Sequence, residues 1–179
     1  MQRIIKCIVC IFTTAILVSC GNDASLQRYF VDNQESANFI SQDVPLSMID
    51  IDDSEFTEEQ KEAYNSVRRL NFLGYKVNGT EAETFKTELA KVKTILNDKK
   101  YNDLIEFSDK GNKVVVKYIG TDEEADEVIV FGSAKEIGFG IVRILGDDMN
   151  PNKMSTLVNA MQKANIDQNQ LESVMNFFK

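Results

Sequence analysis

The chain has 179 residues, of which 28 are acidic and 20 are basic, and its formal net charge is −8. Because nucleic-acid binding depends on basic side chains that neutralise phosphates, we expect no nucleic-acid partner. The chain has no histidine, which excludes a Ser-His-Asp triad and a Cys-His pair. No Ser-x-x-Lys or Gly-x-Ser-x-Gly motif supports a serine nucleophile either. We therefore predict a protein that is not an enzyme, with no catalytic residue and no cofactor.

Residues 1–19 have the pattern of a bacterial export signal. Arg3 and Lys6 form a basic head, and the apolar or weakly polar stretch Cys7–Val18 is too short to span a membrane. The sequence Leu17-Val18-Ser19-Cys20 then resembles the lipobox of bacterial lipoproteins. In that class the cysteine thiol receives diacylglycerol, the chain is cut before the cysteine, and the new amine is acylated, commonly with palmitate. We predict lipid attachment at Cys20; the alternative is an ordinary secretory signal with a chance cysteine.

The mature chain is expected to reach the membrane through this lipid. Removal of residues 1–19 leaves 18 basic and 28 acidic residues, a net charge of −10, which does not favour anionic lipid. We divide the remainder into a lipidated N-terminus and tether, residues 20–33, and a single domain, residues 34–179. Gly21 follows Cys20 where inner-membrane retention commonly uses aspartate, so resemblance to known lipoprotein sorting favours the outer membrane.

The first half of the domain has one well-marked helix and one well-marked strand. Residues 27–56 are the least periodic, with a candidate helix at Gln34–Ile40 and an extended or irregular stretch at Val44–Ile51. The capping-box pattern Thr57–Gln60 predicts a helix to about Ser66. The residues rich in leucine and aromatic side chains at Val67–Lys76 then predict a strand.

The second half alternates between a helix, a run of strands and further helices. After an Asn78-Gly79 turn and a second capping box, a helix is predicted to about Asn97. Strands are predicted at Leu104–Phe107, Lys113–Ile119, Glu127–Phe131 and Phe139–Leu145. Asn150-Pro151 predicts a helix start, and Asp167 starts a last helix to Phe178. This order predicts an α+β fold with a mostly antiparallel sheet of about five strands and helices packed on one face. The predicted core is Phe85, Leu89, Val92, Val116, Val130, Ile141, Ile144 and Leu157.

Two sequence features resemble incomplete binding motifs. Gly138-Phe139-Gly140 lacks the third glycine of a dinucleotide loop and lies in a predicted strand, which favours close backbone packing. Asp50, Asp52 and Ser54, and likewise Asp122, Glu124 and Asp126, have calcium-loop spacing without the required glycine. We interpret both acidic runs as solvated loops and predict no metal site. A calcium-stabilised structural domain and, less favoured, a carboxylate-based hydrolase are the alternatives.

Several core patterns resemble one known family. They are Val67–Phe72, Ala90–Lys93, Tyr101–Leu104 with Val114–Val116, Glu127–Phe131 and Phe139–Gly146. They are similar to the Bacteroidetes lipoprotein family called domain of unknown function 4252, over roughly residues 27–165. The resemblance implies a lipidated envelope protein and carries over no functional residue except the cysteine at position 20. Together with the residues above, it favours a non-enzymatic binding or assembly module, with an envelope protein as the candidate partner.

Overall fold

The computed structural model describes residues 24–48, 51–77, 82–109 and 112–161, together with residue 176. Within these ranges the chain forms six strands, four α-helices and one 3-10 turn. In chain order they are α1 (Leu26–Asn33), β1 (Phe39–Pro45), the 3-10 turn (Leu46–Met48), α2 (Glu58–Ser66), β2 (Val67–Lys76), α3 (Ala82–Leu96), β3 (Asn102–Asp109), β4 (Asn112–Gly120), β5 (Ala125–Ala134), β6 (Gly138–Met149) and α4 (Pro151–Met161).

The six strands form one sheet in the order β1-β2-β6-β5-β4-β3, and every neighbouring pair is antiparallel. This confirms the predicted α+β class and adds a sixth strand. The additional strand is β1, which pairs with β2 from Phe39↔Tyr75 to Pro45↔Arg69. The predicted helix at Gln34–Ile40 is therefore wrong, because residues 39 and 40 begin this strand. Pairing with β2 makes this segment extended, whereas its weak sequence periodicity does not predict a strand.

The folded domain begins earlier than the predicted boundary at residue 34. Ser25 caps α1 by accepting a hydrogen bond from the Arg28 N–H at 3.3 Å, and α1 buries Leu26, Tyr29 and Phe30 in the core. The predicted tether 20–33 is thus corrected, since its residues 26–33 are a packed helix. Cys20 lies outside the described residues. None of the described helices combines the length and apolar character needed to cross a membrane.

The local helix signals are confirmed where the structure describes them. Thr57 and Gln60 form the predicted reciprocal capping box of α2, with hydrogen bonds of 2.9 and 3.3 Å. Asn150 accepts a hydrogen bond from the Lys153 N–H at 3.1 Å and so caps α4. The predicted turn and capping box at residues 78–81 lie outside the described residues, as does the last helix predicted from Asp167, apart from residue 176.

Helices cover both faces of the sheet, whereas the sequence predicted one. On the first face, α1 and α3 pack over a cluster that includes Leu73, Ile129 and Ile141. On the second face, α2 and α4 pack over a cluster that includes Val116, Val128 and Ile144. The physical reason is visible in β5, where Val128 and Ile129 are both buried although consecutive strand residues point to opposite faces. Runs of consecutive apolar residues in β4 and β5 are typical of strands buried on both sides.

The predicted core is largely confirmed. Six of the eight residues are buried, namely Phe85, Val92, Val116, Ile141, Ile144 and Leu157. Leu89 and Val130 are half-buried and pack against the two clusters from their margins.

Candidate functional site

The second face of the sheet carries three rows of side chains that run across the strands. Each row consists of residues that are consecutive cross-strand partners. The glycine row is Ile40, Gly74, Gly140, Gly132, Val114 and Phe107. The valine row is Gln42, Phe72, Val142, Val130, Val116 and Ile105. The tyrosine row is Val44, Leu70, Ile144, Val128 and Tyr118.

Burial decreases from the tyrosine row to the glycine row. In the tyrosine row, Val128, Ile144 and Tyr118 are buried in the cluster beneath α2 and α4. In the valine row Val116 is buried, but the other five residues are half-buried. In the glycine row Gly74 is buried and four residues are half-buried, and at its end Phe107 is 38% exposed. Helices α2 and α4 therefore cover one end of the second face and leave the glycine row, at the other end, more open.

The glycine and valine rows contain no charged residue, although charged residues make up 27% of the chain. Gln42 is their one side chain with a hydrogen-bonding group. Contiguous uncharged surface that remains accessible commonly marks a site of protein–protein interaction, because the centre of such interfaces is depleted in charge. These two rows are the candidate binding surface of the domain.

Three consecutive glycines make the glycine row a shallow part of this surface, because they have no side chains. A Cβ atom on Gly140 would lie 3.2 Å from the Phe72 ring, so the ring lies across the glycine. The neighbouring Gly138 has φ +138°, and a Cβ atom there would overlap the Tyr75 carbonyl oxygen. The structure thus confirms that Gly138-Phe139-Gly140 is a site of close packing between β6 and β2.

Both rows end at β3, which is an edge strand of the sheet. Among the described strands β3 pairs with β4 alone. Ile105 and Phe107 lie on the second face, where they complete the valine and glycine rows. The register of β3 shifts by one residue at Leu104, which is unpaired, so Asp103 lies on the opposite face from Ile105 and on the same face as Glu106. On this first face Asp103 and Glu106 form ion pairs of 2.5 Å with Lys117 and 2.7 Å with Lys113. The edge is therefore apolar on one face and acidic on the other.

The first face beside β3 is open as well. A cavity of about 330 Å³ lies between the C-terminal end of α3 and strands β3 and β4. Val115 and Phe131 are among the apolar residues that line it, and Lys93 stands at its α3 side. Helix α3 thus does not cover the acidic side chains of β3.

A larger groove of about 740 Å³ lies between α1 and α3, beside Ala24 and Ser25 at the start of the first described range. Its charged side chains are engaged with one another: Arg28 pairs with Asp32, and Lys91 pairs with Glu88 at 2.6 Å. Tyr29 also donates a hydrogen bond to Glu88, at 2.8 Å. Burial raises the pKa of the Tyr29 phenol, and this hydrogen bond raises it further. The hydrogen bond from Tyr29 to Glu88 joins α1 to α3, whereas the two ion pairs lie within α1 and within α3.

The buried acid Glu127 is engaged in an ion pair on the first face. Its two carboxylate oxygens accept hydrogen bonds of 2.7 and 2.8 Å from Arg143, and each side chain is only 11% exposed. The Arg143 guanidinium also lies 5.3 Å from the centre of the Phe30 ring of α1. The hydrogen bonds to Glu127 raise the pKa of Arg143. The ion pair links β5 to β6, and the contact of Arg143 with Phe30 adds α1. Both carboxylate oxygens of Glu127 accept hydrogen bonds from Arg143.

The acidic runs with calcium-loop spacing do not converge on a site in the described part of the chain. Asp52 accepts a hydrogen bond from the Ser54 N–H at 3.0 Å. Hydrogen bonding to the Ser54 side chain, and secondly to this N–H, lowers the pKa of the exposed Asp52 carboxyl group. Asp122 accepts a hydrogen bond from the Tyr118 hydroxyl at 2.6 Å. Asp50 lies outside the described residues. No three Asp, Glu, Cys or His side chains in the described ranges are arranged to hold a metal ion.

The sequence did not predict the candidate surface, because its rows are defined by strand register. Alternating apolar residues were visible in single strands, but which residues lie side by side depends on the pairing of all six.

Among known families, the one described as "Domain of unknown function (DUF4252)" matches residues 29–157. This range begins within α1 and ends within α4, so it contains both rows of the candidate surface. No curated protein and no solved structure matches the chain.

Proposed function

This chain belongs to the family of domain of unknown function 4252, and from that premise we propose that it is a lipid-anchored, non-enzymatic binding or assembly module of the bacterial cell envelope. The observation that carries this proposal is the pair of uncharged rows on the second face of the sheet. They span all six strands and end at the exposed Phe107. In a protein this rich in charge, such a surface is suited to a protein partner.

The start of α1 supports anchoring at a membrane surface. The Leu26 N–H donates a hydrogen bond to the Tyr101 hydroxyl at 3.2 Å, and Leu26 is buried, so the chain is packed into the domain from this residue on. Five residues lie between Cys20 and Leu26, so an extended chain places these two residues at most about 20 Å apart. A lipid on Cys20 would therefore hold the domain close to the bilayer, which we propose is the outer membrane.

A binding role is also favoured over hydrolysis by the state of the buried acid. A carboxylate-based hydrolase needs two carboxylates that face a substrate cleft. Glu127 gives both oxygens to Arg143, and it faces the core beneath α1 rather than an open surface.

The binding role is tested by site-specific photo-cross-linking in living cells. A photoreactive amino acid at Val114 or Phe107 should capture a discrete envelope protein. The same amino acid at Thr84, an exposed residue of α3 on the opposite face, is the control and should not. A protein that carries Phe107→Lys together with the photoreactive amino acid at Val114 should no longer capture this partner. Equal capture from Thr84, or none from either row position, would contradict the proposed surface.

The anchor is tested separately. Metabolic labelling with a palmitate analogue should mark the wild-type protein, and Cys20→Ser should abolish the label and release the protein from the membrane fraction. Equal labelling of both proteins would show that Cys20 is not the attachment residue.

A further inference from the structure

We propose that the edge of β3 is the docking site for an extended segment of a partner protein that alternates apolar and basic residues. This inference rests on the proposed binding function and names the chemistry of the partner. The segment would add to the sheet as a seventh strand beside Asn102–Asp109, a mode of recognition in which backbone hydrogen bonds supply affinity and alternate side chains supply specificity.

The apolar half of the pattern follows from the second face. Ile105 is half-buried and Phe107 is 38% exposed, and both lie at the outer end of the uncharged rows. Cross-strand neighbours have Cβ atoms about 5 Å apart. Apolar side chains on an added strand would therefore cover Ile105 and Phe107 and extend the glycine and valine rows by one position each.

The basic half of the pattern follows from the first face. Asp103 and Glu106 reach inward to lysines of β4, yet their side chains remain 82% and 58% exposed. The lysines of the adjacent cavity lie on β4 and α3, inward of the edge, so β3 itself presents carboxylates. A lysine or arginine on an added strand would lie directly beside each carboxylate on its open side, and opposite charges in such cross-strand positions are stabilising.

The same charges disfavour a second copy of this chain as the partner. Antiparallel pairing of two β3 strands would bring the Asp103 and Glu106 side chains of one copy beside those of the other on the same face. Like charges placed opposite each other on neighbouring strands are destabilising. The charge of the strand therefore selects a basic partner over self-association.

The other edge of the sheet is less suited to this role. Strand β1 ends in Pro45, which has no N–H to donate. To the valine row it contributes the polar Gln42, where β3 contributes the apolar Ile105. An added strand would meet a less apolar and shorter edge there.

The test uses synthetic peptides and the mature protein with Cys20→Ser. A blocked eight-residue peptide that alternates valine and lysine is compared with one that alternates valine and glutamate, by fluorescence polarisation at low salt. We expect the lysine peptide to bind roughly tenfold more tightly, because two cross-strand charge pairs change sign between the peptides. In the NMR spectrum, its binding should shift amide signals of β3 and leave those of β1 unchanged. A lysine peptide N-methylated at its four central residues, which cannot form ladder hydrogen bonds, should not bind.

Charge reversal on the protein gives the matched control. Glu106→Lys should abolish the preference between the two peptides, because one of the two cross-strand charge pairs then has the opposite sign. Glu35→Lys, an equal charge change in the exposed turn before β1, should leave the preference unchanged. Circular dichroism verifies that both variants are folded. Equal affinity for the two peptides, an unchanged preference in Glu106→Lys, or amide shifts confined to β1 would overturn the inference. If one of these results is obtained while cross-linking at Val114 still captures a partner in cells, only the proposed partner chemistry is refuted. The proposed binding function is then still supported.

Discussion

The Glu127–Arg143 ion pair should be a major local contribution to stability, and Glu127→Ala measures it. The substitution removes both hydrogen bonds of 2.7 and 2.8 Å and leaves a guanidinium that is nine-tenths buried without its counter-ion. Because so little of either side chain meets water, screening does not reduce the effect as it does at a surface pair. Removal of one partner of a buried pair typically costs about 3–5 kcal/mol, and we expect a loss of the free energy of unfolding in that range.

Two further variants separate the pair itself from the penalty of breaking it. Glu127→Leu combined with Arg143→Met replaces both charges by apolar side chains and should recover most of the loss, because the desolvation cost of the ions disappears with them. Asp147→Ala breaks the exposed pair with Arg68, whose side chains are 69% and 64% exposed. That variant should lose less than about 1 kcal/mol.

Urea unfolding followed by far-UV circular dichroism gives the free energies. Hydrogen exchange at the α1 amides adds a local readout, since Arg143 also contacts the Phe30 ring of that helix. We expect faster exchange in α1 for Glu127→Ala. A loss below about 1 kcal/mol, the value typical of a surface pair, would show that the pair is not desolvated as the structure indicates.

Three other substitutions test the packing. Leu89→Ala should cost about 2 kcal/mol, the lower end of the usual range, because Leu89 is half-buried; thermal unfolding measures this, and a loss below about 0.5 kcal/mol would place the residue at the surface. Tyr29 keeps its proton in the folded state above its ordinary pKa of 10.0 through burial and its hydrogen bond to Glu88. The stability it contributes is therefore fully present below about pH 10 and lost as the pH rises further, so Tyr29→Phe should weaken the alkaline fall in stability measured by urea unfolding; an equal fall in both proteins would argue against this. Gly138→Ala should lower the midpoint of thermal unfolding, with a cost on the order of 1–3 kcal/mol or more, because φ is +138° and the new Cβ atom would overlap the Tyr75 carbonyl oxygen; an unchanged midpoint would contradict the close approach of β6 to β2.

The elements that the sequence predicted well are those determined by nearby residues. Thr57 and Gln60 satisfy each other's backbone groups within four residues, so the start of α2 needs no tertiary contact to be recognised. The same holds for Asn150 at the start of α4. Strand β2, from Val67 to Lys76, has apolar and aromatic residues dense enough to favour an extended chain.

The elements that were missed depend on distant partners. Helix α1 has only eight residues, about two turns, so its buried positions Leu26, Tyr29 and Phe30 form a short sequence pattern. It is fixed by contacts such as the hydrogen bond from the Leu26 N–H to Tyr101, 75 residues away. Strand β1 is defined by its register with β2. The assignment of helices to one face failed because a continuous apolar run can be buried from both sides, and only the topology shows which helix lies on which face.

The position of α1 relative to the uncharged rows bears on what those rows bind. Leu26 and Tyr101 belong to the cluster on the first face, and Tyr101 directly precedes the start of β3. The glycine row lies on the second face and crosses β3 at Phe107, five residues further along, or about 17 Å at the usual rise of a strand. If Cys20 carries the anchor, the lipid joins the domain on the opposite face and at the opposite end from the glycine row. This placement favours a row that points away from the bilayer, where a protein segment rather than lipid is the available ligand. Five connecting residues would hold the domain within about 20 Å of the anchor, so the position of the anchor and the chemistry of the β3 edge favour the same kind of partner.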